Sequence, residues 1–190
     1  PGRAARRAVA CEAIAGAAVP GMELSELRQV WQLWFDELGD AEAALADERW
    51  RTALVAGDAL ALVAREAVQF DRGDGAVKFM ALSARSERFA TREEWVRYWV
   101  DVHGPMAHGI PEFTRHYTRY VHNYVLPSPH ATGGLQPAFD GIVEEWLPSV
   151  EEFAACLREP RYLELVAPDE RLFVDFSRSH VLLVSERTVL

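Results

Sequence analysis

Trp95-Val96-Arg97-Tyr98-Trp99-Val100-Asp101-Val102-His103-Gly104-Pro105 reads as an aromatic helix that ends in a histidine. Thr91 with Glu94 forms a capping box that opens this helix at about Arg92. Trp95, Tyr98, Trp99 and Val102 recur at i, i+3, i+4, i+7 and so share one face. Gly104-Pro105 is the expected stop after His103. Working outward, Ala76 to Ala84 (AVKFMALSA) predicts a strand before the helix. Phe113 to Leu126, aromatic and β-branched, predicts a long strand after it. Pro127 to Pro137 is a Pro- and Gly-rich loop, and Phe139 to Leu147 a third strand. Ser149 with Glu152 makes a second capping box, and Val150, Phe153, Ala154 and Leu157 give the next helix its buried stripe. His180 to Ser185 closes as a strand. The order β-α-β-β-α-β is the ferredoxin-like unit, an α+β class.

The chain also repeats itself. With Trp34 laid over Trp146, and no gap, Phe35 meets Leu147, Ala43 meets Ala155, Leu45 meets Leu157, Arg49 meets Arg161 and Trp50 meets Tyr162. An internal duplication explains these pairs economically. Residues 76–190 form one copy and residues 1–71 a diverged, shortened one, with Asp71 to Gly75 between them. In the first copy, Arg7 to Ala15 and Gln29 to Phe35 predict strands, Asp40 to about Leu54 a helix, and Leu60 to Phe70 a last strand. A first strand and first helix are missing from this copy. A ferredoxin-like sheet has helices on one face only, so its bare face needs a partner. The expectation is a barrel of up to eight strands, completed within the chain or by a second chain as a homodimer.

Composition narrows the function classes. Nearly half of the 190 residues are apolar and six are tryptophan, enough for a real core. A formal charge of −9 argues against a nucleic-acid surface. The short basic cluster Arg3, Arg6, Arg7 reads as a solvated start. No run approaches the roughly 20 apolar residues of a membrane span. Cys11 and Cys156 form no CxxC pair and fit a reducing compartment, so the cytoplasm is expected. Walker, GxGxxG and GxSxG motifs are absent.

From Val77 to Glu186 the chain resembles the EthD domain of the dimeric α+β barrel superfamily. The resemblance rests on the strand VKFMALSARSERF, the helix EEWVRYWVDVHGP, Pro111, and the strands RYVHNYVL, DGIVEEW and VLLVSE. It implies a ferredoxin-like fold that pairs into a barrel. It also implies degradation or tailoring of hydrophobic small molecules. Relatives in the superfamily include cofactor-independent cyclases, monooxygenases and lactone isomerases, as well as haem proteins.

All six histidines lie at or beyond residue 103. His103 reads either as a general acid or base on an aromatic cavity, or as a helix C-terminal cap. On the strand 113–126, His116, Thr118, Tyr120, His122 and Tyr124 share one face, expected to line the barrel interior or meet a partner sheet. Asn123 falls on the other face, towards the helices and His103, where it could hold an oxyanion. The expected catalytic set is therefore His103, Tyr120 and Asn123, with Tyr98, Trp99, His122, Tyr124 and Trp146 as ligand contacts. His108 and His130 read as exposed. No histidine spacing matches a metal motif, so neither metal nor cofactor is expected. The chain is read as a lyase, isomerase or cyclase for an aromatic or lactone-type molecule. The other reading is a non-catalytic binding or accessory protein.

Overall fold

The structure, a computed structural model, describes residues 4–48, 52, 60–129 and 138–190. Seven strands form one antiparallel sheet: β1 (Arg7–Ala13), β2 (Gln29–Trp34), β3 (Val63–Asp71), β4 (Val77–Ser83), β5 (Arg119–Leu126), β6 (Gly141–Leu147) and β7 (His180–Thr188). Their order is β2-β1-β7-β4-β6-β5-β3. The sheet is open, with β2 and β3 as its edges. It curls far enough that Trp34 Nε1 on one edge donates to Glu66 Oε2 on the other at 2.8 Å. The expected barrel is found in part: residues 1–71 extend the one sheet at both edges and leave it a curled, open half-barrel of seven strands. Among the described residues no helix is long and apolar enough to cross a membrane. Trp50, His130 and most of the 127–137 loop lie outside the described residues.

The helices bounded by described residues are α1 (Leu38–Leu45), α2 (Arg92–Tyr98), α3 (Gly104–His108), α4 (Pro111–Thr114), α5 (Val150–Cys156) and α6 (Ala167–Phe173). Thr91 and Glu94 close the predicted capping box on α2. Ser149 accepts the Glu152 N–H at α5, but the Glu152 carboxylate turns to His116 Nδ1 at 2.7 Å, so that cap is half made.

Gly104-Pro105 does not stop the helix. A π turn, Trp99–His103, joins α2 to α3, and the Gly104 N–H bonds to the Trp99 carbonyl five residues back. In an α-helix the ring of Pro105 would strike the carbonyl of Asp101 and leave it without a donor. The wider π turn relieves that conflict. It also rotates the register, so Val102 faces solvent at 44% exposure while His103 is buried at 4%. The same device precedes α6: a π turn over Tyr162–Val166 leads into Ala167-Pro168, with Ala167 N–H bonded to the Tyr162 carbonyl. The two junctions match residue by residue, WVDVHGP against YLELVAP.

Phe113 to Thr118 is not strand. Pro111 starts α4, a turn follows, and β5 begins at Arg119. The helices cover the sheet face that carries Phe79, which stacks on Phe153 at 4.4 Å. Trp95 and Trp99 lie directly over Gly141 at the start of β6. A Cβ at Gly141 would fall inside the van der Waals limit of Trp99 Cζ3 and 2.9 Å from Trp95 Cη2. Gly141→Ala should therefore destabilise the protein by about 1–3 kcal/mol through overpacking, read as a lower urea midpoint with an unchanged slope.

Candidate active site

The two π junctions face one another. His103, last residue of the first, places Nδ1 2.8 Å from Oδ2 of Asp169, in the first turn of α6. The Tyr98 hydroxyl donates to the other oxygen, Oδ1. Burial works to raise the Asp169 carboxyl, but the hydrogen bonds from His103 and Tyr98 hold it below its ordinary value. An ionised Asp169 accepts Nδ1–H, which leaves Nε2 as the ring's free lone pair. Phe173 packs against the imidazole at 4.3 Å between centroids. His103 is not a helix cap, because the helix runs on to His108.

This imidazole opens on a cavity of about 120 Å3 between the sheet and the helices. Tyr117, Tyr120, Tyr162, Glu145 and Glu170, with Ser83 and Ser179, supply its other polar groups, and aromatic walls come from Trp95, Trp99, Phe113, Phe153 and Phe173. Phe176, 55% exposed, marks where the lining reaches the surface. Burial pushes the Glu145 carboxyl up to about 8, and the charge of Glu170 adds to this, while the Tyr117 hydroxyl pulls back. Burial also raises Glu170, against His103 and the hydroxyl of Tyr162, which donates to Glu170 Oε2 at 2.9 Å. Burial takes the Tyr120 hydroxyl well above its ordinary range, so it stays a donor.

His103, Tyr120 and Trp99 thus meet at one cavity. Tyr98 bonds to Asp169 and is not part of the cavity wall. His122 and Tyr124 share the helix-facing side of β5 with Tyr120 but stand behind Trp99, with His122 tilted against it at 4.3 Å and Tyr124 at its edge at 5.4 Å.

The faces of β5 are the reverse of the expectation. Asn123 points to the concave face, where Nδ2 donates to Glu144 Oε2 at 2.9 Å, far from His103. Trp146 lies on that face too, between Lys78 and Arg119 at 4.8 and 4.6 Å from its ring. Aromatic side chains pack under helices, and the amide finds its partner in a polar network on the other side.

His108 is half-buried, edge-on to Tyr120 at 4.8 Å, rather than exposed. His116 sits in the turn before β5 and bridges Glu152 and Glu159. Among the described residues no three His, Cys, Asp or Glu side chains are grouped to hold a metal ion.

Glu145, Tyr162, Asp169 and Glu170 were not expected at the site. The second aromatic-to-Pro heptad, Tyr162 to Pro168, was the available signal, since Asp169-Glu170 follow it directly.

Residues 89–177 match the EthD domain. The EthD region is roughly half of the chain and holds His103, Tyr120, Glu145, Asp169 and Glu170. Phe79, Ala81 and Val181 close the cavity from outside it. No curated protein matches the chain in sequence. In fold it is similar to a Lactobacillus acidophilus NCFM crystal structure named "putative monooxygenase". The match covers 97% of this chain and 79% of that one, with a TM-score of 0.51 and 10% identity. At that identity the likeness is one of fold.

The buried titratable groups give stability a two-sided pH dependence. Burial holds His108 down to about 4 and His122 down to about 2, from 6.5. Below pH 6.5 the unfolded chain binds protons that the fold refuses, so these groups lower stability as pH falls. Glu145 does the opposite. Between 4.5 and about 8 the fold keeps a proton that the unfolded chain has released, so stability falls as pH rises. From pH 4.5 to 6.5 the two effects oppose. Urea midpoints should therefore drop between pH 6.5 and 8, and Glu145→Gln should remove that drop.

Proposed function

We propose that the protein is a cofactor-independent enzyme, a lyase, isomerase or cyclase that moves a proton on a hydrophobic aromatic or lactone-type small molecule. One observation carries this reading: His103, oriented by Asp169, faces a cavity with aromatic walls. The arrangement is that of a general base whose second nitrogen is fixed by a carboxylate. Tyr120, a buried hydroxyl that keeps its proton, holds the substrate's carbonyl oxygen. The cavity, about 120 Å3 and reaching the surface at Phe176, limits the ligand to the size of a single ring.

The test uses acetophenone, a one-ring ketone with exchangeable protons next to its carbonyl. In deuterium oxide the protein should speed loss of the methyl proton signal over buffer. Retention of the ring, seen as quenching of Trp95 and Trp99 fluorescence, without exchange would favour the binding or accessory reading.

We propose also that residues 1–71 are a diverged copy of residues 76–190. Strand order supports this. The second copy runs β7-β4-β6-β5. Applying the same order to the first gives β3, an absent first strand, β2, β1. Joined at β1–β7 and β3–β5, the two copies would be open only between β2 and β3, the two edges of the sheet. Pairing as a homodimer and a cytoplasmic site of action belong to the same proposal.

A further inference from the structure

We propose that Glu145 is a second catalytic residue, the acid that gives its proton to the substrate's carbonyl oxygen while His103 takes one from the adjacent carbon. This rests on the reading of His103 as the base.

Neighbouring glutamates on β6 make the case. Glu144, on the concave face, is fully buried and meets Lys78 Nζ at 3.1 Å, Gln32 Nε2 at 2.7 Å and Asn123 Nδ2 at 2.9 Å. It is thus paired with a cation and two amide donors. Glu145, on the cavity face, is 6% exposed, and no Lys, Arg or His among the described residues forms an ion pair with it. The groups that act on it are Glu170 and the Tyr117 hydroxyl, neither of them a cation.

A buried carboxylate without a cation takes up a proton instead. Of the two cavity carboxyls, Glu170 accepts the Tyr162 hydroxyl at 2.9 Å, which favours its ionised form. Glu145 has the negative charge of Glu170 beside it, so the proton resides on Glu145.

Placement fits the task. Tyr120 and Glu145 are direct partners across β5 and β6, on the same face, and both line the cavity. Tyr120 holds the carbonyl oxygen and Glu145 protonates it. As His103 Nε2 takes the proton, the C–H pair becomes a C=C bond. The carbonyl π pair moves to oxygen, which takes the proton of Glu145, and the O–H pair stays on the carboxylate. The products are an enol, an imidazolium paired with Asp169, and the Glu145 carboxylate. No oxidant or other co-reactant is needed. Return of a proton to the same carbon gives exchange, and to a different conjugated carbon gives isomerisation. The substrate class is an enolisable one-ring ketone or lactone.

Two measurements test this. In infrared spectra at pH 7, the wild type should show a protonated-carboxyl C=O stretch that fades as pH rises through about 8. Glu145→Gln should lose the band and His103→Gln should keep it. No band in the wild type, or an unchanged band in Glu145→Gln, overturns the assignment. In the acetophenone exchange assay Glu145→Gln should be slowed by about 10²-fold or more, with circular dichroism unchanged. If Glu145→Gln exchanges like the wild type while His103→Gln does not, Glu145 is no acid and the His103 reading stands. If the wild type itself does not exchange, the His103 reading falls and the acid role falls with it.

Discussion

His103→Gln should cut acetophenone proton exchange by about 10²–10⁴-fold while the protein stays folded. Glutamine keeps a donor near the Nδ1 position, so Asp169 retains one of its two hydrogen bonds from that side and Tyr98 supplies the other. What it lacks is a nitrogen lone pair able to take a proton. The buried imidazole also packs on Phe173, so some stability is lost, on the order of 1–3 kcal/mol. Rate and stability are measured separately, the first by proton NMR and the second by urea unfolding. A variant that exchanges at the wild-type rate would sink the base role and leave His103 as a packing residue between the two π junctions. The effect belongs to the chemistry only if Glu145 and Tyr120 stay in place. They are set by β5 and β6 rather than by His103 itself.

Much of the fold is legible in the sequence because the strands announce themselves locally. β4, β6 and β7 fall within a few residues of their expected bounds, as do β1 and β2 in the first copy. The Thr91–Glu94 box is read correctly for the same reason: it depends on residues three apart. Three features escape. Gly104-Pro105 looks like a stop because the rule assumes an α-helical register, and a π turn changes the register. The faces of β5 come out inverted because alternation gives two faces without saying which one the helices cover. Aromatic hydroxyls and imidazoles look polar enough for a barrel interior, yet they pack under Trp99, while Asn123 is balanced by Glu144 from another strand. Asp169 and Glu170 escape for a plainer reason, although a heptad like the first precedes them. A carboxylate in the first turn of a helix normally faces solvent and complements the helix dipole. Only the docking of α6 against the first π junction turns Asp169 towards His103 and puts Glu170 over the cavity.

Lys78→Met should be the most damaging single change to stability, about 3–5 kcal/mol, a large part of what a domain of this kind has. Lys78 sits mid-sheet on β4 with 1% exposure. Its ammonium meets Glu144 of β6 at 3.1 Å, Glu186 of β7 at 3.0 Å and Gln32 of edge strand β2 at 2.6 Å, beneath the Trp146 ring. Burial works to lower its pKa, but the negative charge of Glu144, with that of Glu186, holds it above the ordinary value. The group therefore contributes its stability at every pH below about 10.5 and loses it only above. Methionine fills the stem's volume and removes the cation, which leaves Glu144 fully buried with amide donors alone. The loss should come from that stranded carboxylate and not from packing. A second change distinguishes these causes: Lys78→Met combined with Glu144→Leu should recover most of the stability, because an apolar pair of similar volume has no charge to desolvate. If the double variant is no more stable than Lys78→Met alone, the network's value lies in tying β2 across to β6. The curl of the sheet, and with it the position of Glu145 on the far side of β6, would then depend on polar bonds that no hydrophobic pair can replace.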